Sequence, residues 1–222
     1  IYKTLFFNNL KLEIMNTKNL VVLVITFPFW GLGGFSCSKD NTSTEFVAQL
    51  PPETQTGANT FGCLINGKVL VPRTGSTTIG GGGRAVTVWG DVSGTQQYRE
   101  IDVKDFKSNR TAQILIHIQN IHQLGAGNYT INVSNGMSSI DGLNHNYIHC
   151  RVFNETTNSY QYYRSFENSG TIKITNYSFL NDIIAGTFSC RVRNSANPLD
   201  EIEITEGRFD INPVTILDKR FP

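Results

Sequence analysis

Cysteine is scarce in this 222-residue chain, which has only Cys37, Cys63, Cys150 and Cys190. Once Cys37 is set aside for the reasons below, three remain, and an odd count excludes complete intramolecular pairing. Neither sign of charge is in excess. Lys and Arg number 19, and Asp and Glu 18, so the basic stripe of a nucleic-acid binder is not expected. Helical periodicity is missing too: no long segment repeats its apolar residues every 3.6 positions, and only 115–121 is ambiguous. Catalytic signatures are absent. There is no Gly-x-Ser-x-Gly elbow and no calcium-loop run of Asp and Asn. The glycine-rich GSTTIGGGGR at 75–84 lacks the Lys-Ser/Thr pair and following helix of a phosphate loop. Arg84 leads into a strand pattern instead, and the glycines fit a hairpin loop. The four histidines are His117, His122, His145 and His149. His145 and His149 are four apart but have no neighbouring Glu in a zinc-hydrolase pattern, so neither metal nor cofactor is expected.

Long apolar runs are equally rare, with one exception. Leu20 to Phe35, LVVLVITFPFWGLGGF, holds one polar residue, Thr26, and no charge. It is shorter than the roughly 20 residues of a membrane-crossing helix, and it contains Pro28, Gly31, Gly33 and Gly34. With Met15 and Lys18 before it and small residues after it, the layout is that of a secretory signal over 15–36. Residues 1–14 are expected to be a mis-assigned extension ahead of a start at Met15. The sequence Gly-Phe-Ser-Cys at 34–37 resembles a bacterial lipobox, with Gly34 in place of the more usual Leu. It implies cleavage before Cys37 and acylation of that residue. Cys37-Ser38-Lys39-Asp40 is similar to the short Lys-acidic signal that directs Bacteroidota lipoproteins to the outer face of the outer membrane. Acyl chains contribute roughly 0.8 kcal/mol per buried CH2, enough for a firm anchor. The mature chain would hold 186 residues, 16 of them basic and 17 acidic.

Residues 37–58 are rich in Ser, Thr, Gln, Asn and Pro and carry no apolar period, the composition of a flexible tether. One domain over 59–222 follows. Phe61, Cys63 and Ile65 alternate with their neighbours, and Asn66-Gly67 sits between two apolar runs at the spacing of a type I′ hairpin. Further strand patterns cover 84–91, 97–106, 111–121, 128–133, 146–153, 159–166, 170–180, 183–194 and 200–211, each bounded by Gly, Asn, Asp or Ser. The expected fold is all-β, an antiparallel sandwich or barrel of about ten strands ending in a three-stranded meander. In that meander Arg191, Arg193, Glu201 and Glu203 fall on the outward side, where they form a solvated face or pair across strands. Asp210 reads as structural, with Arg208 as a local ion-pair partner. Cys63, Cys150 and Cys190 each fall in the apolar phase of a strand, as buried free thiols do. If one pair oxidises, the matching contexts CRVFN and CRVRN favour Cys150 with Cys190.

The stretches LPPETQTGANTFGCLINGKVLVP at 50–72, IIAGTFSC at 183–190 and EIEITEGRFDI at 201–211 resemble a family of uncharacterised Bacteroidota outer-membrane lipoproteins. Members share a TGxNTFG opening and a GTF…ITxGRFD ending. The resemblance spans about 50–212 and implies an exported, membrane-anchored β domain with no catalytic residues to carry over.

The strongest binding signal is aromatic. SYQYYRSF at 159–166 places Tyr160 and Tyr162 on one strand face and Tyr163 on the other. Two exposed rings about 7 Å apart suit stacking on sugar rings or on a protein partner. Trp89 joins them only if folding brings it near. The sequence therefore predicts a lipid-anchored, cell-surface, non-catalytic binding or structural module. Its partners would be the membrane through Cys37 and a glycan or a surface protein; the oligomeric state is open. A glycan-binding accessory role in polysaccharide uptake is one alternative. A hydrolase whose site forms only on folding is the other, marked by close carboxylates or by a Ser or Cys beside a His.

Overall fold

The computed structural model describes residues 46–75, 83–90, 97–108, 112–178, 180 and 182–222. The extension 1–14, the signal 15–36 and Cys37 lie outside them, as does most of the glycine-rich stretch. Gly75 and Gly83 flank that stretch, and the N–H of Gly75 donates to the Gly83 carbonyl at 3.3 Å. The loop's two ends are thus adjacent, as a hairpin loop requires.

Ten antiparallel strands form one curled, open half-barrel. They are β1 (Thr60–Ile65), β2 (Lys68–Leu70), β3 (Val86–Trp89), β4 (Tyr98–Lys104), β5 (Gln113–Gln119), β6 (Gly127–Ile131), β7 (Tyr147–Asn154), β8 (Ser159–Ser178), β9 (Ile183–Asn194) and β10 (Glu201–Ile211). The spatial order is β2–β1–β10–β9–β8–β7–β5–β4–β3, with β6 beside β8 off that path. The one α-helix among the described residues is a single turn, α1 (Ile121–Leu124), which resolves the ambiguous 115–121 as a strand followed by that turn.

The period-2 pattern decides which face is inside. Phe61, Cys63, Ile65, Ile101, Val103, Ile114, Ile116, Ile118, Ile148, Ile172, Ile174 and Ile204 are all buried in one apolar cluster. Each contributes roughly 1.5–3 kcal/mol of transfer free energy. Asn66 and Gly67 have φ of 48° and 75°, the two positive values that a type I′ turn demands. The meander β8–β9–β10 is present, and its outward row does pair: Glu201 bonds Arg191 at 2.8 Å and Arg193 at 3.0 Å.

Three expectations change. The patterns at 159–166 and 170–180 are one 20-residue strand, β8. The register to β9 slips between Ser165 and Gly170, and Asn168 there has φ 53°, so Glu-Asn-Ser-Gly makes a bulge rather than a turn. The first half of β8 pairs with β7 and the second half with β6. The tether expected through residue 58 is bound at its C-terminal part. Asp210 accepts hydrogen bonds from Thr54 Oγ1 at 2.7 Å and from the N–H groups of Thr56, Gly57 and Ala58 at 2.9, 2.7 and 3.2 Å. Arg208 pairs with Glu206 at 3.3 Å and reaches the Pro51 carbonyl, so it is not the partner of Asp210.

The open side of the half-barrel is bridged after β2. Arg73 makes a bidentate contact with Asp105, at 2.7 and 2.6 Å, and the N–H of Phe106 donates to the Arg73 carbonyl at 3.0 Å. The C-terminal segment adds buried Ile216, and Phe221 packs against the same cluster.

Candidate functional site

On the outer face of β7 and β8 the alternation leaves Tyr160 and Tyr162 exposed, at 36% and 56%, while Tyr163 is buried. The strand register sets their neighbours: Arg151 lies opposite Tyr162, and Phe153 lies opposite Tyr160. Phe153 meets the Tyr160 ring edge-on at 5.4 Å between centroids. The Arg151 guanidinium stands 4.5 Å above the same ring, a cation–π contact of roughly 0.5–1 kcal/mol in a partly exposed setting. Two residues further along the same face of β8 comes Arg164, which pairs in register with Arg193 of β9. Arg193 in turn lies 3.7 Å over Phe166. The patch is therefore aromatic rings interleaved with guanidinium groups. Sequence alternation marks the tyrosines. The same alternation places Arg164 and Phe166 on that face of β8, whereas Arg151 carries no such mark because cross-strand register brings it in.

Tyr163, on the inner side, anchors this stretch. Its hydroxyl donates to Asp200 at 2.9 Å. Burial, and then that carboxylate, push its pKa up to about 12. Phe153 also forms the lip of two adjoining hollows at the same end of the sheet. They measure about 200 and 210 Å3, and Ile65, Lys68, Val152 and Glu155 line both. A larger hollow of about 320 Å3 lies elsewhere, where Phe46, Val47, Pro51, Phe61 and Val71 meet Phe221.

Trp89 is not part of the patch. It stands on β3, with two strands between it and β7, and its Nε1–H donates to Ser139 Oγ at 3.1 Å. That contact belongs to a covered polar cluster on the outer face of β4, β5 and β7. Glu100 Oε1 accepts from the Ser139 N–H at 2.8 Å, from the Tyr147 hydroxyl at 3.2 Å and from His117 Nδ1 at 2.9 Å. His117 is stacked between Tyr98 and Tyr147, at 4.9 and 4.4 Å, and is fully buried. These bonds hold the 132–146 loop against the sheet.

His149 and Ser134 form a pairing of the kind that a hydrolase reading would look for, with Oγ 3.2 Å from Nδ1. The same hydroxyl already accepts the Gly136 N–H at 3.0 Å. Ser134 is buried, and neither residue lines the hollows described above. Burial lowers the His149 pKa to about 4. His145 Nε2 lies 2.7 Å from the Val133 carbonyl, so both histidines of the i, i+4 pair serve the same loop. Among the described residues no group of three or more His, Cys, Asp or Glu is placed to hold a metal ion.

Cys63, Cys150 and Cys190 are free and buried, and the bond entertained between Cys150 and Cys190 is not formed. Burial raises all three thiols, Cys150 to about 12. Comparison with protein-family models, with curated proteins and with solved structures finds no match.

Proposed function

We propose that this chain is a lipid-anchored module of the outer membrane, facing the cell exterior, that binds a ring-bearing ligand without transforming it. The observation that carries the binding role is the exposed Tyr160–Tyr162 pair with Arg151 seated over one ring. Flat aromatic faces at strand spacing recognise the apolar faces of sugar rings, and this favours a glycan over a surface protein. A rigid sheet presents them, which keeps the ordering cost of binding low. The lipobox at 34–37 and the resemblance to Bacteroidota lipoproteins support the anchor, and eight residues separate Cys37 from Phe46. A hydrolase is the weaker reading, because Ser134 is buried and its hydroxyl is engaged.

Two measurements test this. Affinity electrophoresis through gels containing polysaccharides should show retardation that Tyr162→Ala abolishes; equal mobility in every gel removes the glycan role. Intact mass of the membrane-fraction protein should show acyl chains on the wild type and none on Cys37→Ala. An unmodified Cys37 removes the anchor.

A further inference from the structure

We infer that the ligand taken by the Tyr160–Tyr162 face is an acidic saccharide, with a carboxylate or sulfate held by Arg151 and Arg164. This deepens the glycan reading above and rests on it. Arg151 lies directly across from Tyr162, and Arg164 lies two residues along the same strand face. Tyr162 is thus flanked by two guanidinium groups within about 5–7 Å of backbone spacing.

Their surroundings do not neutralise them. The neighbouring Arg191 and Arg193 share the single carboxylate of Glu201. Asp200 is occupied by Tyr163 and Asn194, at 2.9 Å each. Arg151 makes its cation–π contact, yet its Nε is buried without a hydrogen-bond partner. Arg164 faces Arg193 across the register rather than an acid. It is exposed, and its guanidinium rests on Gly136 of the 132–146 loop. A Cβ there would come within 2.6 Å of Nε, so the loop fixes where this cation points. A guanidinium is planar and matches carboxylate or sulfate oxygens two at a time. Two of them beside exposed aromatic rings therefore select a ring that carries its own negative charge.

The test uses the purified full-length chain and four probes by calorimetry and gel retardation: polygalacturonate, dextran sulfate, neutral dextran and polyglutamate. We expect the two acidic polysaccharides to bind at least about tenfold more tightly than neutral dextran. Their comparison tells carboxylate from sulfate. Arg151→Gln with Arg164→Gln should remove that preference, whereas Tyr162→Ala should weaken every polysaccharide. Equal binding of neutral and acidic polysaccharides, both lost in Tyr162→Ala, overturns the acidic preference and leaves the glycan reading standing. Binding of polyglutamate as tight as polygalacturonate and indifferent to Tyr162→Ala means charge alone and overturns both. Retention of none of the polysaccharides also overturns both. Far-ultraviolet circular dichroism of each variant separates loss of binding from loss of fold.

Discussion

Asp210 holds the entering chain to the domain through one carboxylate. It is buried, and burial by itself would raise its pKa. The hydrogen bonds from Thr54 and from the Thr56, Ala58 and Gly57 N–H groups outweigh that and hold it below the usual carboxylate range. Its contribution is complete above the unfolded pKa near 3.8 and is lost as pH falls through the lower folded value. Asp210→Asn places an amide where the oxygens accept, and we expect a loss of roughly 2–4 kcal/mol, read as a lower urea midpoint at pH 7. His149 acts in a different window. Its folded pKa is about 4, against 6.5 for the free side chain, so the unfolded chain takes up the proton first. Stability from keeping it neutral is full above pH 6.5 and declines as pH falls toward 4. Urea titrations at pH 7.5 and pH 5 should show wild type losing on the order of 1–2 kcal/mol more than His149→Asn. At this scale the sequence was informative about sides and silent about partners. Alternation put Tyr160 and Tyr162 on one face and Tyr163 on the other, because a strand has only two faces; the fold exposes the first pair and buries the third ring. The sequence paired Asp210 with Arg208, two residues before it, whereas the true donors lie more than 150 residues away.

Among the elements, the segment before β1 behaves as part of the domain although its composition is that of a linker. Arg208 Nη1 donates to the Pro51 carbonyl at 3.4 Å and Asn176 Nδ2 to that of Gln55 at 2.9 Å. These join the five hydrogen bonds to Asp210, and Pro51 packs over Gly62, where a Cβ would approach its ring within 2.5 Å. A chain beginning at residue 59 strips the Asp210 carboxylate of these donors and opens it to water. It should be less stable than one beginning at residue 46 by roughly 2–4 kcal/mol in urea unfolding. In the shorter chain Asp210→Asn should cost little, since the partners are gone; two independent losses would mean that the segment and the carboxylate are not coupled. Periodicity missed this segment because it makes no ladder of its own and is ordered by side-chain and backbone bonds to β10. Periodicity also split β8 in two. Asn, Ser and Gly accept positive φ in a turn and in a bulge alike. The sequence cannot tell the two apart, whereas the pairing of β8 with β7, β6 and β9 does.

At the scale of the whole molecule, the three thiols report whether the curled sheet opens as one unit. Cys63 is on β1, Cys190 on β9 and Cys150 on β7, each separated by one intervening strand in the order β1–β10–β9–β8–β7. All three point into the same apolar cluster and are at most 5% exposed. Burial is the main cause of their raised pKa values, with the other thiols adding to it for Cys63 and Cys190, as expected where a curved sheet turns one face upon itself. A thiol reacts as its thiolate, so none of the three should be labelled by a maleimide at pH 8 without denaturant. Reduction should expose no further thiol in this region after unfolding. Near the urea midpoint, pulsed labelling resolved by peptide mass spectrometry should modify all three at one rate, since a shared core is lost together. Faster labelling of Cys63 would show that the β1–β2 edge peels away first. In that case the Arg73–Asp105 bridge would not tie the edge to β4, and Asp105→Asn should leave the Cys63 rate unchanged. With the bridge holding, Asp105→Asn should accelerate Cys63 labelling while leaving Cys150 and Cys190 at the wild-type rate.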